Sequence, residues 1–202
     1  SPRRLTGLQQ LGIYDVVTLE MNSLDNVQSI EKLIDDYHPE MIFHLSGQSS
    51  PHLSFDQPKE TFESIAGSTQ RLLQAMLRAT LPSRLFVAGS CEMFGNSHQQ
   101  PVFACTGVLF NHESPLRPEH FVTQKIIAGA CSIAQGRQKN LHLGNLSIER
   151  DWGWAPEYVV AMEKMLSREQ PEDFILATGK HTSLHVFVSE AFEAVGRSWQ
   201  DY

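Results

Sequence analysis

Short apolar runs that end in polar clusters alternate with stretches of helical spacing along nearly the whole sequence. The runs at residues 41–45, 84–88, 103–110 and 174–177 are near-continuous rather than alternating, as strands buried on both faces are. Between them, Val27, Ile30, Leu33 and Ile34 recur at helical spacing behind the start signal Asn22-Ser23-Leu24-Asp25, and Pro39 ends them. A long helix is expected after Pro58, with Phe62, Ile65, Leu72, Leu73, Met76 and Leu77 on its apolar side. Phe121, Val122, Ile126, Ile127 and Ile133 mark another, ended near Gly136. Residues 156–166 form a third, and Leu184, Phe187, Val188, Phe192 and Val195 a last one, with Gly196 placed to stop it. Weaker strand signals lie at residues 14–19 and 141–143. This alternation predicts an α/β fold, a parallel sheet covered by helices. Ligands bind such sheets outside the carboxyl ends of the strands. The polar clusters at 46–50, 89–92 and 111–117 each follow a strand, so three separate segments are expected at one edge.

Sixteen basic against twenty-three acidic residues give a net charge of −7. That surface repels a phosphate backbone and argues against general nucleic-acid binding. It leaves room for a small anion, because clustered Arg side chains and helix N-termini oppose the global field locally. Cys91, Cys105 and Cys131 stand far apart in no metal-binding spacing, which fits a reduced, cytoplasmic protein. No apolar run approaches the roughly 18 residues of a membrane span. The opening Ser-Pro-Arg-Arg has no apolar stretch behind it, so no signal peptide is expected. His181 and His185 share i,i+4 spacing without a surrounding HExxH, and no metal site is expected.

Several residues carry chemistry by type and place. Ser90 and Glu92 follow a strand directly, so a hydroxyl and a carboxylate can reach one cleft; taken alone, such a pair is more often a matter of capping or solvation. Asn111-His112-Glu113-Ser114-Pro115 is dense in polar side chains where a buried strand ends, as a self-satisfied loop also is. Lys125 and Arg150 can neutralise a pyrophosphate, Arg with a bidentate fork, or can be ordinary surface cations.

These strings have a family likeness. Leu109-Phe110-Asn111-His112-Glu113-Ser114-Pro115, Phe121-Val122-Thr123-Gln124-Lys125-Ile126, Leu143-Gly144-Asn145-Leu146 and Arg150-Asp151-Trp152-Gly153 occur in the order found in GDP-mannose 4,6-dehydratases. Pro171-Glu172-Asp173-Phe174 and Ala177-Thr178-Gly179 continue the likeness, and the segments around Leu45–Ser49 and Gly89–Gly95 match more loosely. The chain therefore resembles that branch of the extended short-chain dehydrogenases over nearly its whole length. The resemblance implies a Rossmann-like parallel sheet with helices on both faces, plus part of a smaller C-terminal substrate domain. Residues 1–110 would be the NADP-binding portion and 111–202 a mixed portion with nucleotide-sugar-binding elements.

It also implies a reaction. NADP takes a hydride from C4 of the mannose, a base removes the C5 proton, water leaves from C6, and the hydride returns there. Glu92 would be the acid/base, and Ser90 would bond the sugar O4 where the family usually has Thr. Asn22, Ser23, Leu45, Ser46, Gly47, Gln48, Ser49, His112 and Arg117 would contact NADP. Asn111, Val122, Lys125, Asn145 and Arg150 would hold GDP-mannose. A homodimer or homotetramer is implied, with an Arg-rich loop reaching the neighbour's cofactor. In this sequence Leu116 and Gln124 replace two Arg residues common in the family, and Glu60 stands where a cofactor-contacting Tyr is common.

Two features of the class do not occur in the sequence. No Gly-rich phosphate turn precedes Tyr14, and no Tyr is followed four residues later by Lys. The resemblance places the Tyr–Lys segment between Gly95 and Phe103, which is too short to hold it. Losing a helix and a central strand would leave buried backbone unpaired. The expectation is thus a longer polypeptide, with further residues at the start, near Gln100–Phe103 and at the end. Two other readings stay open: an inactive shortened relative that acts as a binding or assembly partner, and a reductase or epimerase on a related nucleotide sugar.

Overall fold

A computed structural model describes residues 8–9, 12–20, 24–47, 51–79, 82–90 and 103–202. The chain divides into two compact units. The sheet unit holds Leu19–Leu109 and Val159–Leu176; the pocket unit holds Ser1–Thr18, Phe110–Tyr158 and Ala177–Tyr202. Among the described residues the strands are β1 (Met41–His44), β2 (Arg84–Ser90), β3 (Ala104–Leu109), β4 (Asn111–Glu113), β5 (Glu149–Arg150), β6 (Trp152–Trp154), β7 (Phe174–Leu176) and β8 (Thr182–Ser183). The helices are α1 (Val27–Tyr37), α2 (Pro51–Asp56), α3 (Pro58–Phe62), α4 (Ser68–Arg78), α5 (Val122–Ala134), α6 (Ala155–Leu166) and α7 (Leu184–Glu193).

The sheet unit is the expected Rossmann-like parallel sheet, in the order β1-β2-β3-β7. Ile42 pairs with Leu85, Phe86 with Cys105, and Gly107 with Phe174, all in parallel. Successive strand residues face opposite sides, so Leu85 and Phe86, both fully buried, serve the two faces. On the Leu85 side, Ile30 and Ile34 of α1 meet Leu72, Ala75 and Met76 of α4. At i, i+4 spacing these residues form one apolar stripe on each helix. Asn26 caps α1, its Oδ1 accepting the Gln28 N–H at 2.9 Å, so the helix starts after the expected Asn22–Asp25 signal. His38 in the left-handed conformation and then Pro39 end it.

The helix expected after Pro58 is interrupted by a π-helical turn at Glu63–Gly67. The hydroxyls there bond carbonyls of the preceding turn: Ser64 to Thr61 O at 3.0 Å, and Thr69 to Ile65 O at 2.7 Å. Arg71 adds a bond to the Glu63 carbonyl at 3.2 Å. Such side-chain competition for helix carbonyls is a known cause of local unwinding.

In the pocket unit β4 lies parallel to β6, and β5 antiparallel to β8. Ile126, Ala130 and Ile133 of α5 pack against Leu184, Val188 and Phe192 of α7, with Trp152, Trp199 and Tyr202 around them. Gly136 and Gly196, at φ +69° and +68°, close α5 and α7 where the sequence places its stop signals.

Two expected strands are corrected. Residues 14–19 form a 3-10 turn at Tyr14–Val16 and then unpaired chain, because no described strand lies beside them to complete a ladder. Residues 141–143 are not a strand either. The Leu141 N–H bonds the Tyr202 carbonyl at 3.2 Å, and its side chain lies against Gly129, so packing on the helix pair claims it.

Candidate functional site

The pocket unit contains a cleft of about 320 Å³ built from five segments, one of them the start of α7 at Leu184. Asn111 and Glu113 reach it from β4, whose alternation puts them on one side and His112 on the other. Arg117, Phe121 and Val122 come from the loop and first turn of α5, Gly144 and Asn145 from the loop after it, and Arg150 and Trp152 from β5 and β6. Phe121, the N-cap position of α5, makes no side-chain cap. The first N–H groups of a 13-residue helix thus open at the cleft wall with the positive end of its dipole.

Three charged groups dominate. Glu113 Oε2 lies 3.5 Å from Arg117 Nε, and the Arg117 guanidinium sits 3.8 Å from the centroid of the Phe121 ring. Both atoms of that ion pair are buried and neither completes a hydrogen bond within the protein. The pair thus neutralises itself inside the cleft wall, and only the outer guanidinium nitrogens of Arg117 remain to meet a ligand. Arg150 is exposed, with one guanidinium N–H donated to Glu149 O at 2.8 Å. Asn145 commits its carbonyl oxygen to the Ser147 N–H and hydroxyl, at 2.9 and 2.7 Å, so what it offers a ligand is its NH2 group.

Behind Arg150 the next residue is an anchor. Asp151 is 4% exposed and accepts the Thr178 N–H, the Thr178 hydroxyl and the Gly179 N–H at 3.1, 2.9 and 2.8 Å. Burial pushes its carboxyl up, but these bonds together with the His181 charge outweigh that and hold it below its usual value.

The cleft gathers Asn111, Arg117, Val122, Asn145 and Arg150 from the sequence expectations and leaves two candidates of the same unit outside. His112 has Nδ1 2.9 Å from the Phe110 carbonyl, so that nitrogen carries the proton, and its ring stacks on Tyr158 at 4.6 Å. Lys125 donates to the His142 carbonyl at 2.7 Å rather than into the cleft. In the sheet unit Leu45, Ser46 and Gly47 follow β1 and are exposed. Ser90 ends β2, paired with Leu109, and its side chain is outside the description. Glu92, Asn22, Ser23, Gln48 and Ser49 lie outside the described residues.

Glu113, Phe121, Asp151 and His44 are placements that sequence reasoning did not single out. The signal for Glu113 was its period-two spacing from Asn111, and for Asp151 its place next to Arg150. Cys105 is buried beside the Leu85 carbonyl, and burial, helped by the Asp173 charge, pushes its thiol up to about 11, an inert state. Among the described residues no group of side chains could hold a metal ion, and no helix is long and apolar enough to cross a membrane.

A family model described as GDP-mannose 4,6 dehydratase matches residues 3–102 and 97–202, two stretches that meet where the Tyr–Lys segment is expected. GDP-mannose 4,6 dehydratase 2 of Arabidopsis thaliana is 35% identical over 222 residues, covering 93% of this chain and 60% of that protein. GDP-mannose 4,6 dehydratase 2 of Caenorhabditis elegans is 36% identical, covering 89% of this chain and 56% of that one. The chain therefore spans 56 to 60% of the length of these curated relatives. The 222-residue aligned span exceeds the 202 residues of the chain, so the plant protein has residues inside the match that this chain lacks. The structure of RMD from Pseudomonas aeruginosa complexed with NADPH superposes with a TM-score of 0.78 at 16% identity, over 89% of this chain and 72% of that one. At that identity the likeness concerns the fold alone.

Proposed function

We propose a function from one premise: this chain belongs to the GDP-mannose 4,6-dehydratase family. The proposed reaction is dehydration of GDP-mannose to GDP-4-keto-6-deoxymannose, with NADP reduced and reoxidised within one turnover. The observation that carries it is the convergence of Arg117, Arg150 and the α5 N-terminus on one cleft of an otherwise acidic chain. A diphosphate needs that combination of forked cations and helix N–H groups. Asn111 supplies an amide donor and acceptor and Asn145 an amide donor for base and ribose, and Val122 with Phe121 supplies an apolar wall. In this reading Lys125 leaves its bond to His142 to reach the nucleotide.

NADP, when bound, would supply the hydride acceptor and donor. Leu45, Ser46 and Gly47 fit it. They are exposed at the carboxyl end of a parallel strand, and Gly47 has φ 153°, with space for a Cβ limited to 3.1 Å from Ile65. A strand end without a side chain lets a nucleotide come close to the backbone. His112 belongs to the same proposal; Arg117, which the resemblance puts at NADP, is proposed for the GDP-mannose diphosphate instead, because it lines that cleft. Ser90 would hold the sugar O4, and Glu92 would take the C5 proton and return it toward the C6 hydroxyl. Assembly as a homodimer or homotetramer and a cytoplasmic location complete the reading, on the resemblance and the composition respectively.

The test is a GDP titration followed by a turnover assay. Arg150→Ala is expected to weaken GDP by about tenfold or more, the weight of a charge-assisted bond pair. Turnover is expected without net consumption of reduced cofactor. Stoichiometric loss of NADPH would replace the dehydratase with a reductase.

A further inference from the structure

His44 ends β1 at 5% exposure, yet both of its ring nitrogens face hydroxyls. Ser46 Oγ lies 3.1 Å from Nδ1, and Ser68 Oγ 3.2 Å from Nε2. Ser68 has a single hydroxyl proton, and its Oγ is 2.7 Å from the Ser64 carbonyl oxygen and 3.1 Å from that of Ile65. Carbonyl oxygens only accept, so the proton of Ser68 is spent there and its lone pair faces the ring. Nε2 of His44 therefore carries a proton and donates it to Ser68. In the neutral ring Nδ1 is then bare, and it accepts from the Ser46 hydroxyl.

The result is a one-way chain from Ser46 through His44 and Ser68 to the backbone of the π-helical turn. Ser46 has turned its only proton inward. Toward its open side, where it lines a cleft of about 540 Å³ with Thr69 and Thr106, it has lone pairs alone to offer. A serine without this chain behind it would rotate freely between donor and acceptor.

We propose that His44 is a positioning residue that fixes the Ser46 hydroxyl as a hydrogen-bond acceptor for a hydroxyl or amide N–H of a bound nicotinamide dinucleotide. The proposal rests on the cofactor reading above and deepens it. Burial lowers the His44 pKa and so favours the neutral ring that the chain requires.

The experiment uses the full chain with isotope-labelled histidine, and NADPH as the probe. Long-range proton–nitrogen spectra at neutral pH are expected to show His44 neutral with Nε2 protonated. Ser68→Ala, which removes the acceptor for Nε2, is expected to mix in the other tautomer. Ser46→Ala is expected to weaken NADPH by about three- to tenfold, one net hydrogen bond, while Ser46→Thr restores it. Ser68→Ala is expected to weaken NADPH by a smaller factor, because Ser46 then loses its fixed direction. A native ring protonated on Nδ1, or Ser46→Ala binding NADPH as tightly as the native chain, overturns the proposal while leaving the cofactor reading intact. A native chain that binds no dinucleotide overturns both.

Discussion

The two units hold their candidate residues by different means. In the sheet unit, Leu45–Gly47 hang from a strand whose neighbours are set by long apolar patterns, with Leu85 and Phe86 fully buried behind them. In the pocket unit, the cleft is assembled from three-residue and two-residue strands, two helix starts and two loops. It is held by discrete polar contacts, the Asp151 clamp and the Glu113–Arg117 pair, beside the packing of Trp152 and Leu184 on the core between α5 and α7. A strand end in a buried sheet tolerates loss of one polar contact. A cleft made of short pieces does not, because each piece has few other bonds.

Phe86→Ala tests the first half of that contrast and carries the largest expected effect. Phe86 is fully buried, its ring 6.2 Å from that of Phe43. Truncation is expected to cost about 3–5 kcal/mol, lost transfer energy plus a cavity. All three tryptophans, Trp152, Trp154 and Trp199, belong to the pocket unit. Urea unfolding by far-UV circular dichroism is expected to shift more than the same curve by tryptophan fluorescence. Equal shifts would dissolve the distinction between the units.

Gly153→Ala probes the second half. A Cβ there would collide with the ring of Tyr158, which is 5% exposed and stacked on His112. Neither partner has room to move, so a cost of about 1–3 kcal/mol is expected, read in the fluorescence curve. Because Gly153 pairs with His112 across β4 and β6, GDP affinity is expected to fall with it. Unchanged GDP binding would mean that the cleft does not depend on this ladder.

The same contrast explains what the sequence disclosed. Helices α1, α4, α5 and α7 and strands β1 to β3 follow from apolar spacing, because periodic side chains are what builds a core. The 14–19 run shows the limit: β-branched residues favour a strand only where a partner strand exists, and Val16 is 82% exposed instead. The pair β5 and β8, two residues each, has no period to read. The gathering of Asn111, Val122, Asn145 and Arg150 was visible only as motif strings. The Asp151 clamp and the His44 chain were not visible at all. Both join residues 24 to 28 positions apart through side chains whose types are common on any surface.

Acid gives the smallest expected effect and the finest discrimination, because each unit carries one buried group whose shifted pKa falls on the acid side of neutrality. In the sheet unit, burial lowers His44 below 6.5. Below that pH the unfolded chain takes up a proton that the native ring refuses, so stability declines from about pH 6.5 and stops declining once native His44 titrates too. In the pocket unit, Asp151 is held below 3.8. Its contribution is present in full above 3.8 and is lost as the pH falls through the lower native value. Between about pH 6.5 and 4 the dichroism curve is therefore expected to weaken while the fluorescence curve holds, and below that range both fall. His44→Gln, a neutral side chain that can still bond both serines, is expected to flatten the first decline and leave the second. Asp151→Asn does the reverse, at a cost of about 1–3 kcal/mol at neutral pH for the bonds it weakens. If either variant flattened both declines, the two units would share one titration and would not be held by separate means.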